Sequence, residues 1–370
     1  MNHLQFTDTE VACRIEKLQV SSYSIPTDAP EADGTLDWQS TNLVIVEISA
    51  GGHNGLGYTY ADESCCYLID TLLKHSVIDK DVSMSVKIVD DLKALVRNQG
   101  MSGICAMAIA AIDNALWDLR GKILNISVAD MMGRYRTAVP LYGSGGFTSY
   151  SDEQVLNQIS DWLTEGFSYF KIKIGRDRGR DLRIVQRCRR TLGSKELFVD
   201  ANGAYDVKDA CIMSRALDDN EVTWFEEPVP VTNTGGLAFI RSQAPTIDIV
   251  AGEYGYSLTD FKLLADGSAV DILQADATRC GLSCFFKTGH LCEMLHLPFS
   301  SHCAPSLHAH AACSLSSFYL AEYFHDHVRI ENMFFDNSLV VRNGSLIPDL
   351  TRPGLGLDLK RQDAEKFKRY

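Results

Sequence analysis

The sequence contains no Cys-x-x-Cys pair, although 11 of its 370 residues are cysteine. Neither Cys65-Cys66 nor Cys280-x3-Cys284 has zinc-ribbon spacing, so the thiols read as small buried hydrophobes in a reducing compartment. Positive charge is also scarce: 35 Lys and Arg stand against 48 Asp and Glu, a formal net charge of −13. Such a chain offers no basic face to a nucleic-acid backbone or an anionic membrane, and neither partner is expected. No window reaches the about 18 continuous apolar residues of a membrane helix. The first residues, Met1-Asn-His-Leu-Gln-Phe-Thr-Asp8, lack the basic and apolar regions of a secretory signal, so a cytoplasmic location is expected. Gly143-Ser-Gly-Gly146 lacks the Lys-Ser/Thr ending of a phosphate loop. There is no low-complexity tract.

What is present is ordinary globular material, 45% hydrophobic and 22% charged, long enough for a large core and two domains. Residues 11–25 and 42–49 read as strands from their β-branched content. Between them, Ile25–Trp38 carries two prolines, three Asp, one Glu and one Gly, which predicts a loop too long for a simple hairpin and suited to a lid. Helical patterns follow near 62–76, 82–98 and 104–120, the last apolar on most sides. Together these predict an α+β domain over residues 1–135.

From about Val139 the rhythm changes. Short apolar runs begin at Val139, Tyr169, Leu197, Val222, Asp248, Asp271, Pro298 and Tyr319, with helical patterns such as 153–165, 178–192 and 207–219 between them. Eight strand–helix units in succession favour a closed α/β barrel over residues 136–328. The remaining 329–370 segment is expected to return to the first domain.

Nearly every one of these runs stops on an ionisable residue. Lys171 and Lys173 share one face of their strand, and then come Asp200, Glu226 with Glu227, Glu253, Asp276, His302 and Glu322. In a parallel barrel these strand ends meet at one mouth. Asp200, Glu226 and Glu253, spaced by 26 and 27 residues, are three acids that repel unless a cation sits among them, and their hard oxygens suit Mg²⁺. Lys173 must be neutral to act as a base, which neighbouring cations (the metal and Lys171) favour. Asp276 can orient His302 and leave one ring nitrogen free as acid or base. Two such groups flanking a metal-bound carboxylate imply removal of the proton α to it through an enediolate. Asn202, Arg176, Trp38, Tyr58 and Tyr60 are candidate substrate contacts.

The residues Lys171-Ile-Lys173, Asp200-Ala-Asn-Gly, Trp224-Phe-Glu-Glu-Pro, Gly252-Glu253, Asp276, Ser301-His302 and Glu322 make the chain resemble the enolase superfamily, in particular its mandelate racemase subgroup. Ala111-Ile-Asp-Asn-Ala-Leu-Trp-Asp-Leu and Pro353-Gly-Leu-Gly extend the likeness over nearly the whole chain. The resemblance implies a modified (β/α)7β barrel with an α+β capping domain, whose specificity loops would be Ile25–Trp38 and Gly57–Ala61. It assigns Mg²⁺ to Asp200, Glu226 and Glu253, with Glu227 beside them rather than on the ion. Lys173 becomes the base on one face and the His302–Asp276 dyad the acid/base on the other. Lys171 would hold the substrate carboxylate, and Glu322 would hydrogen-bond the enediolate oxygen. Subgroup members with both Lys-x-Lys and the dyad are mostly acid-sugar dehydratases, so dehydration of an aldonic or aldaric acid to a 2-keto-3-deoxy acid is the expected reaction. A racemase or epimerase of a 2-hydroxy acid and a non-catalytic barrel stay open, and a homo-oligomer is expected. One stretch departs from the family: Arg279-Cys-Gly-Leu-Ser-Cys-Phe is one residue short of the usual Gly-Gly turn, which predicts some displacement of Asp276 from His302.

Overall fold

A computed structural model describes residues 13–337 and 339–370. The expectation of no secretory signal at the N-terminus, and the first two residues of the strand expected over 11–25, lie outside the described residues.

Three antiparallel strands open the chain in the order β1 (Ile15–Ala32), β2 (Asp37–Ala50) and β3 (His53–Thr59). The stretch expected to be a lid loop is therefore mostly strand. Pro26 and Pro30 lie on β1, which is the edge of this sheet, where a missing N–H need not break the ladder. The register between β1 and β2 slips between the pairs Pro26–Ser40 and Glu31–Trp38, so five residue steps on β1 face two on β2 and the surplus is taken up as a bulge. Asp33 Oδ1 then accepts the amides of Thr35 and Leu36 at 2.6 and 2.7 Å, which closes a tight turn. The result is a long hairpin whose tip reaches the barrel.

The helix Ile104–Leu124 packs across this sheet, and Gly55 and Gly57 of β3 allow the approach. A Cβ at Gly57 would stand 2.2 Å from the backbone nitrogen of Ala115. An apolar core of β1, β2 and the helices over 64–124 fills this part of the chain.

Eight parallel strands form the barrel: β4 (Val139–Gly145), β5 (Tyr169–Lys173), β6 (Glu196–Asp200), β7 (Val222–Glu226), β8 (Asp248–Ala251), β9 (Ile272–Ala275), β10 (Phe299–Ser301) and β11 (Ala321–Phe324). β11 pairs with β4, while the residues leading into β11 bond to β10 (Phe299 N to Ser317 O at 3.0 Å, Ser301 N to Leu320 O at 3.3 Å), so the ring closes. Helices lie between successive strands. Tyr142, Phe198, Trp224, Val250, Ile272 and Leu320 fill the interior as one apolar layer, and the functional side chains sit above it. The chain end touches both halves: Ser345–Ile347 pairs with β4, and Arg361 pairs with Glu47 of β2.

All 11 cysteines are free and nine of them are buried. Among the described residues no helix is long and apolar enough to cross a membrane.

Candidate active site

Strand register assembles the site. Lys173 stands opposite Asp200, and Asp200 opposite Glu226, so three neighbouring strands carry their last ionisable residue at one level. Glu253 follows two residues after β8 ends. On the other wall Ser301 is level with Ala275, which puts His302 and Asp276 side by side one residue later.

The three carboxylates expected to hold a metal do converge. Asp200, Glu226 and Glu253 each offer an oxygen, and all three oxygens lie within 4.8 Å of one another, fully buried. Lys171 Nζ lies beneath them, 2.7 Å from Glu226 and 2.8 Å from Glu322, with no exposed surface. Lys173 Nζ is 2.5 Å from Asp200 Oδ2. Trp224 Nε1 and Gln274 Nε2 also donate to Glu226 Oε2, at 2.9 and 3.0 Å. Lys171 is thus a strut beneath the carboxylates rather than a group lining the open cavity.

The charges do not balance. Five buried carboxylates (Asp200, Glu226, Glu227, Glu253 and Glu322) meet two lysines, formally 2 − 5 = −3. Burial pushes Glu226 up to about 8 against the pull of Lys171, and burial with the neighbouring Glu253 pushes Glu227 well above the carboxylate range. Asp200 and Glu322 move the other way: burial raises them, but the lysines outweigh it. Burial, the largest influence, would lower Lys173, yet Asp200 with Glu253 and Glu226 outweighs it and holds the amine above its ordinary value. The expected depression is therefore absent while Asp200 is free to pair with it. Glu253 Oε2 and Glu227 Oε1 are buried without a hydrogen-bond partner among the described residues. An excess of negative charge, all-oxygen donors and an orphaned carboxylate oxygen fit a hard divalent cation.

The dyad is formed in spite of the short turn. His302 Nδ1 and Asp276 Oδ2 are 2.9 Å apart, while Asp276 Oδ1 accepts the Thr278 amide at 2.7 Å. A four-residue helix, Ala277–Cys280, ends at Gly281 with φ 80°, and the next helix, Leu282–Leu295, starts at once. The capping domain pins this junction: Asn114 bonds Ala277 O and Leu282 N at 3.0 and 2.9 Å, and Asp113 accepts Ser283 N at 2.8 Å. Those anchors keep Asp276 in place. Burial lowers His302, but Glu253 and Asp276 outweigh it and leave the ring raised. Its Nε2 faces Cys303 Sγ at 3.2 Å and Glu253 Oε2 at 3.4 Å.

Lys173, Glu253, Asp276, His302 and Asn202 line one cavity of about 360 Å³, within the roughly 300–1,000 Å³ range of small-molecule sites. Trp38 and Tyr60 form part of its roof. Asn202 adopts φ 47° and leaves Oδ1 without a hydrogen-bond partner among the described residues. Two other candidates are engaged elsewhere. Tyr58 is fully buried with its hydroxyl on Glu331 Oε1 at 2.6 Å. Arg176 latches the hairpin tip, bonding Asp33 O at 2.7 Å and Asp37 at 2.9 Å. Glu322 is held by the Cys303 amide and Ser144 Oγ, each at 2.6 Å.

Sequence reasoning passed over Arg279, Cys303, Phe324 and His327, all of which line the cavity. Arg279 lies over the Tyr254 ring at 4.3 Å and bonds Glu253 O. His327 stacks on Tyr60 at 3.5 Å, and burial with the nearby His302 holds it down to about 3. Proximity to the motifs was the available signal, since Cys303 follows His302 and His327 comes five residues after Glu322.

The same fold recurs in known proteins. Residues 24–133 match the mandelate racemase/muconate lactonizing enzyme N-terminal domain, and residues 154–364 the enolase C-terminal domain-like family. The L-talarate/galactarate dehydratase of Salmonella typhimurium is 30% identical over 96% of this chain and 92% of its own. A 3,6-anhydro-alpha-L-galactonate cycloisomerase of Streptomyces coelicolor is 28% identical over 94% of this chain and 98% of its own. Among solved structures, a mandelate racemase/muconate lactonizing enzyme-like protein from Rubrobacter xylanophilus superposes with a TM-score of 0.94 at 42% identity, covering 96% of this chain and 100% of its own. The S. typhimurium dehydratase with Mg and L-lyxarohydroxamate superposes at 0.91 and 27% identity, covering 100% of this chain and 96% of its own. The chain therefore belongs to the enolase superfamily, within its mandelate racemase and muconate lactonizing enzyme family.

Proposed function

We propose that this protein is a Mg²⁺-dependent acid-sugar dehydratase that removes the proton α to a carboxylate and expels the β-hydroxyl. The observation that carries the reading is that Lys173 and the His302–Asp276 dyad face one cavity beside the Asp200, Glu226 and Glu253 oxygens. Asp200, Glu226 and Glu253 would hold Mg²⁺, which when bound supplies positive charge against the charge developing on the substrate carboxylate. With Asp200 engaged in that way, burial becomes the stronger influence on Lys173 and favours its neutral, basic form. Neutral Lys173 accepts the α-proton at Nζ. His302, held through Nδ1 by Asp276, delivers a proton from Nε2 to the departing hydroxyl. The electron pair of the broken C–H bond is first delocalised into the substrate carboxylate as an enediolate, then becomes the new C=C bond as the C–O bond breaks, water leaves, and the enol tautomerises to the 2-keto-3-deoxy acid. Lys171 acts indirectly, by holding Glu226 and Glu322 in position. Ser40, Thr41, Asn42, Asn202 and Thr278 line the cavity and suit a polyhydroxylated chain.

Support for the substrate class comes from relatives named as talarate/galactarate and arabinonate dehydratases and from neighbours solved with Mg and L-glucarate. The test is a panel of aldonic and aldaric acids assayed for keto-acid release. Relatives named as cycloisomerases show that isomerases occur among similar proteins, and the second reading is racemisation or epimerisation of a 2-hydroxy acid at the same α-carbon. It predicts α-proton exchange into deuterated water without keto-acid release. A non-catalytic barrel predicts neither.

A further inference from the structure

We propose a second metal site, outside the barrel mouth, in which Asp28 and Glu31 of β1 and His325 bind a borderline transition-metal ion such as Zn²⁺. One ligand atom from each of the three residues falls within 4.8 Å of the other two. His325 Nε2 and Asp28 Oδ2 already stand 2.9 Å apart, half an ångström inside the about 3.4 Å between ligand atoms of a tetrahedral ion with bonds of about 2.1 Å, so a small opening would admit it. Glu31 supplies the independent observation. Its side chain is 1% exposed, Oε2 accepts from Trp38 Nε1 at 2.8 Å, and Oε1 has no hydrogen-bond partner among the described residues. An orphaned, buried carboxylate oxygen costs free energy that a cation would recover.

The surrounding charges do not fill this role. Arg329, the cation nearby, is spent on Asp326 Oδ1 and on Pro26 O at 2.8 Å. Asp326 in turn accepts Thr41 Oγ1 at 2.5 Å. Asp28 and His325 line a surface cavity of about 560 Å³, which gives an ion a way in. The imidazole selects for Zn²⁺ over Mg²⁺, which prefers oxygen, so the site differs chemically from the all-carboxylate one.

Its position suggests what it does. Asp28 and Glu31 belong to the hairpin of the capping domain, whereas His325 begins the helix His325–Phe334 that directly follows β11 of the barrel. An ion held by all three would fasten the hairpin to the barrel. Glu31 would transmit that hold to Trp38, which forms part of the active-site roof. The metal is thus a clasp on the specificity hairpin. Its effect on turnover rests on the proposed dehydratase reading, but its binding does not.

The test is zinc uptake by the whole protein in excess Mg²⁺, by equilibrium dialysis, together with zinc-edge anomalous diffraction. Wild type should bind one more Zn²⁺ per chain than His325→Ala, and Glu31→Gln should bind it at least tenfold more weakly. The anomalous peak should lie between Asp28, Glu31 and His325. Equal zinc stoichiometry and affinity in folded wild type, His325→Ala and Glu31→Gln would overturn the proposal. So would anomalous peaks only at the Asp200–Glu226–Glu253 or His302–Cys303 positions. If His325→Ala fails to fold, the map on wild-type crystals decides alone.

Discussion

Lys171→Met is the most informative single substitution, because Lys171 is fully buried between two carboxylates at 2.7 and 2.8 Å. Methionine keeps most of the volume and removes the charge. The local formal charge then goes from 2 − 5 = −3 to 1 − 5 = −4. Removing one partner of a buried pair costs about 3–5 kcal/mol, since the other charge is left in a poorly solvating interior. Glu226, pushed up to about 8 even with Lys171 present, can take up a proton and soften the loss, which points to the lower end. In a chain of this size about 2 °C of melting temperature is lost per kcal/mol, so the metal-free variant should melt roughly 6–8 °C below wild type. The assay is thermal unfolding followed by circular dichroism, with EDTA and with saturating Mg²⁺. The deficit should shrink in Mg²⁺, because a divalent cation among Asp200, Glu226 and Glu253 supplies the missing positive charge. A variant melting within about 2 °C of wild type in EDTA, or a deficit that Mg²⁺ leaves unchanged, would refute the strut role.

Three other outcomes follow from the geometry. His302→Asn should lower dehydration by about 10²–10⁴, the range for a lost general acid, while exchange driven by Lys173 survives; NMR in deuterated water separates the two, and equal loss of both would count against the division of labour. Gly57→Ala would put a Cβ 2.2 Å from Ala115 N on the helix Ile104–Leu124, so a marked fall in melting temperature is expected, and an unchanged melt would show that β3 can move away. His310 is buried, and burial holds it down to about 4 from 6.5. The unfolded chain therefore takes up this proton first: the stability tied to the neutral ring is fully present above pH 6.5 and is lost as pH falls from there toward 4, to a total of about 3 kcal/mol. His310→Gln should flatten the acid limb of denaturant-unfolding curves in that window, and an unchanged limb would remove His310 as its source.

Much of this architecture is legible because the barrel strands are short apolar runs that end on charge. Lys173, Asp200 and Glu226 fall at one level because parallel pairing in register leaves little alternative. Depth is less legible. Alternation puts Lys171 on the face of Lys173 but does not say that it lies under Glu226 and Glu322, beneath the cavity. The hairpin was hidden by its prolines, which are tolerated because β1 is an edge strand. Tyr58 and Arg176 were drawn toward the substrate by their loop-like settings. Their partners, Glu331 for one and Asp33 with Asp37 for the other, lie 273, 143 and 139 residues away, beyond any local pattern. The shortened turn after β9 pointed to a displaced dyad, and contacts from Asp113 and Asn114, on a helix of the capping domain, keep it together.

The most direct test of the central claim is proton NMR of a panel of aldonic and aldaric acids with the Mg²⁺-loaded protein in deuterated water. At least one acid should lose its α-proton signal and give a 2-keto-3-deoxy product, and Lys173→Ala should abolish both changes. If no acid in the panel exchanges its α-proton, or if exchange persists unchanged in Lys173→Ala, the account is contradicted.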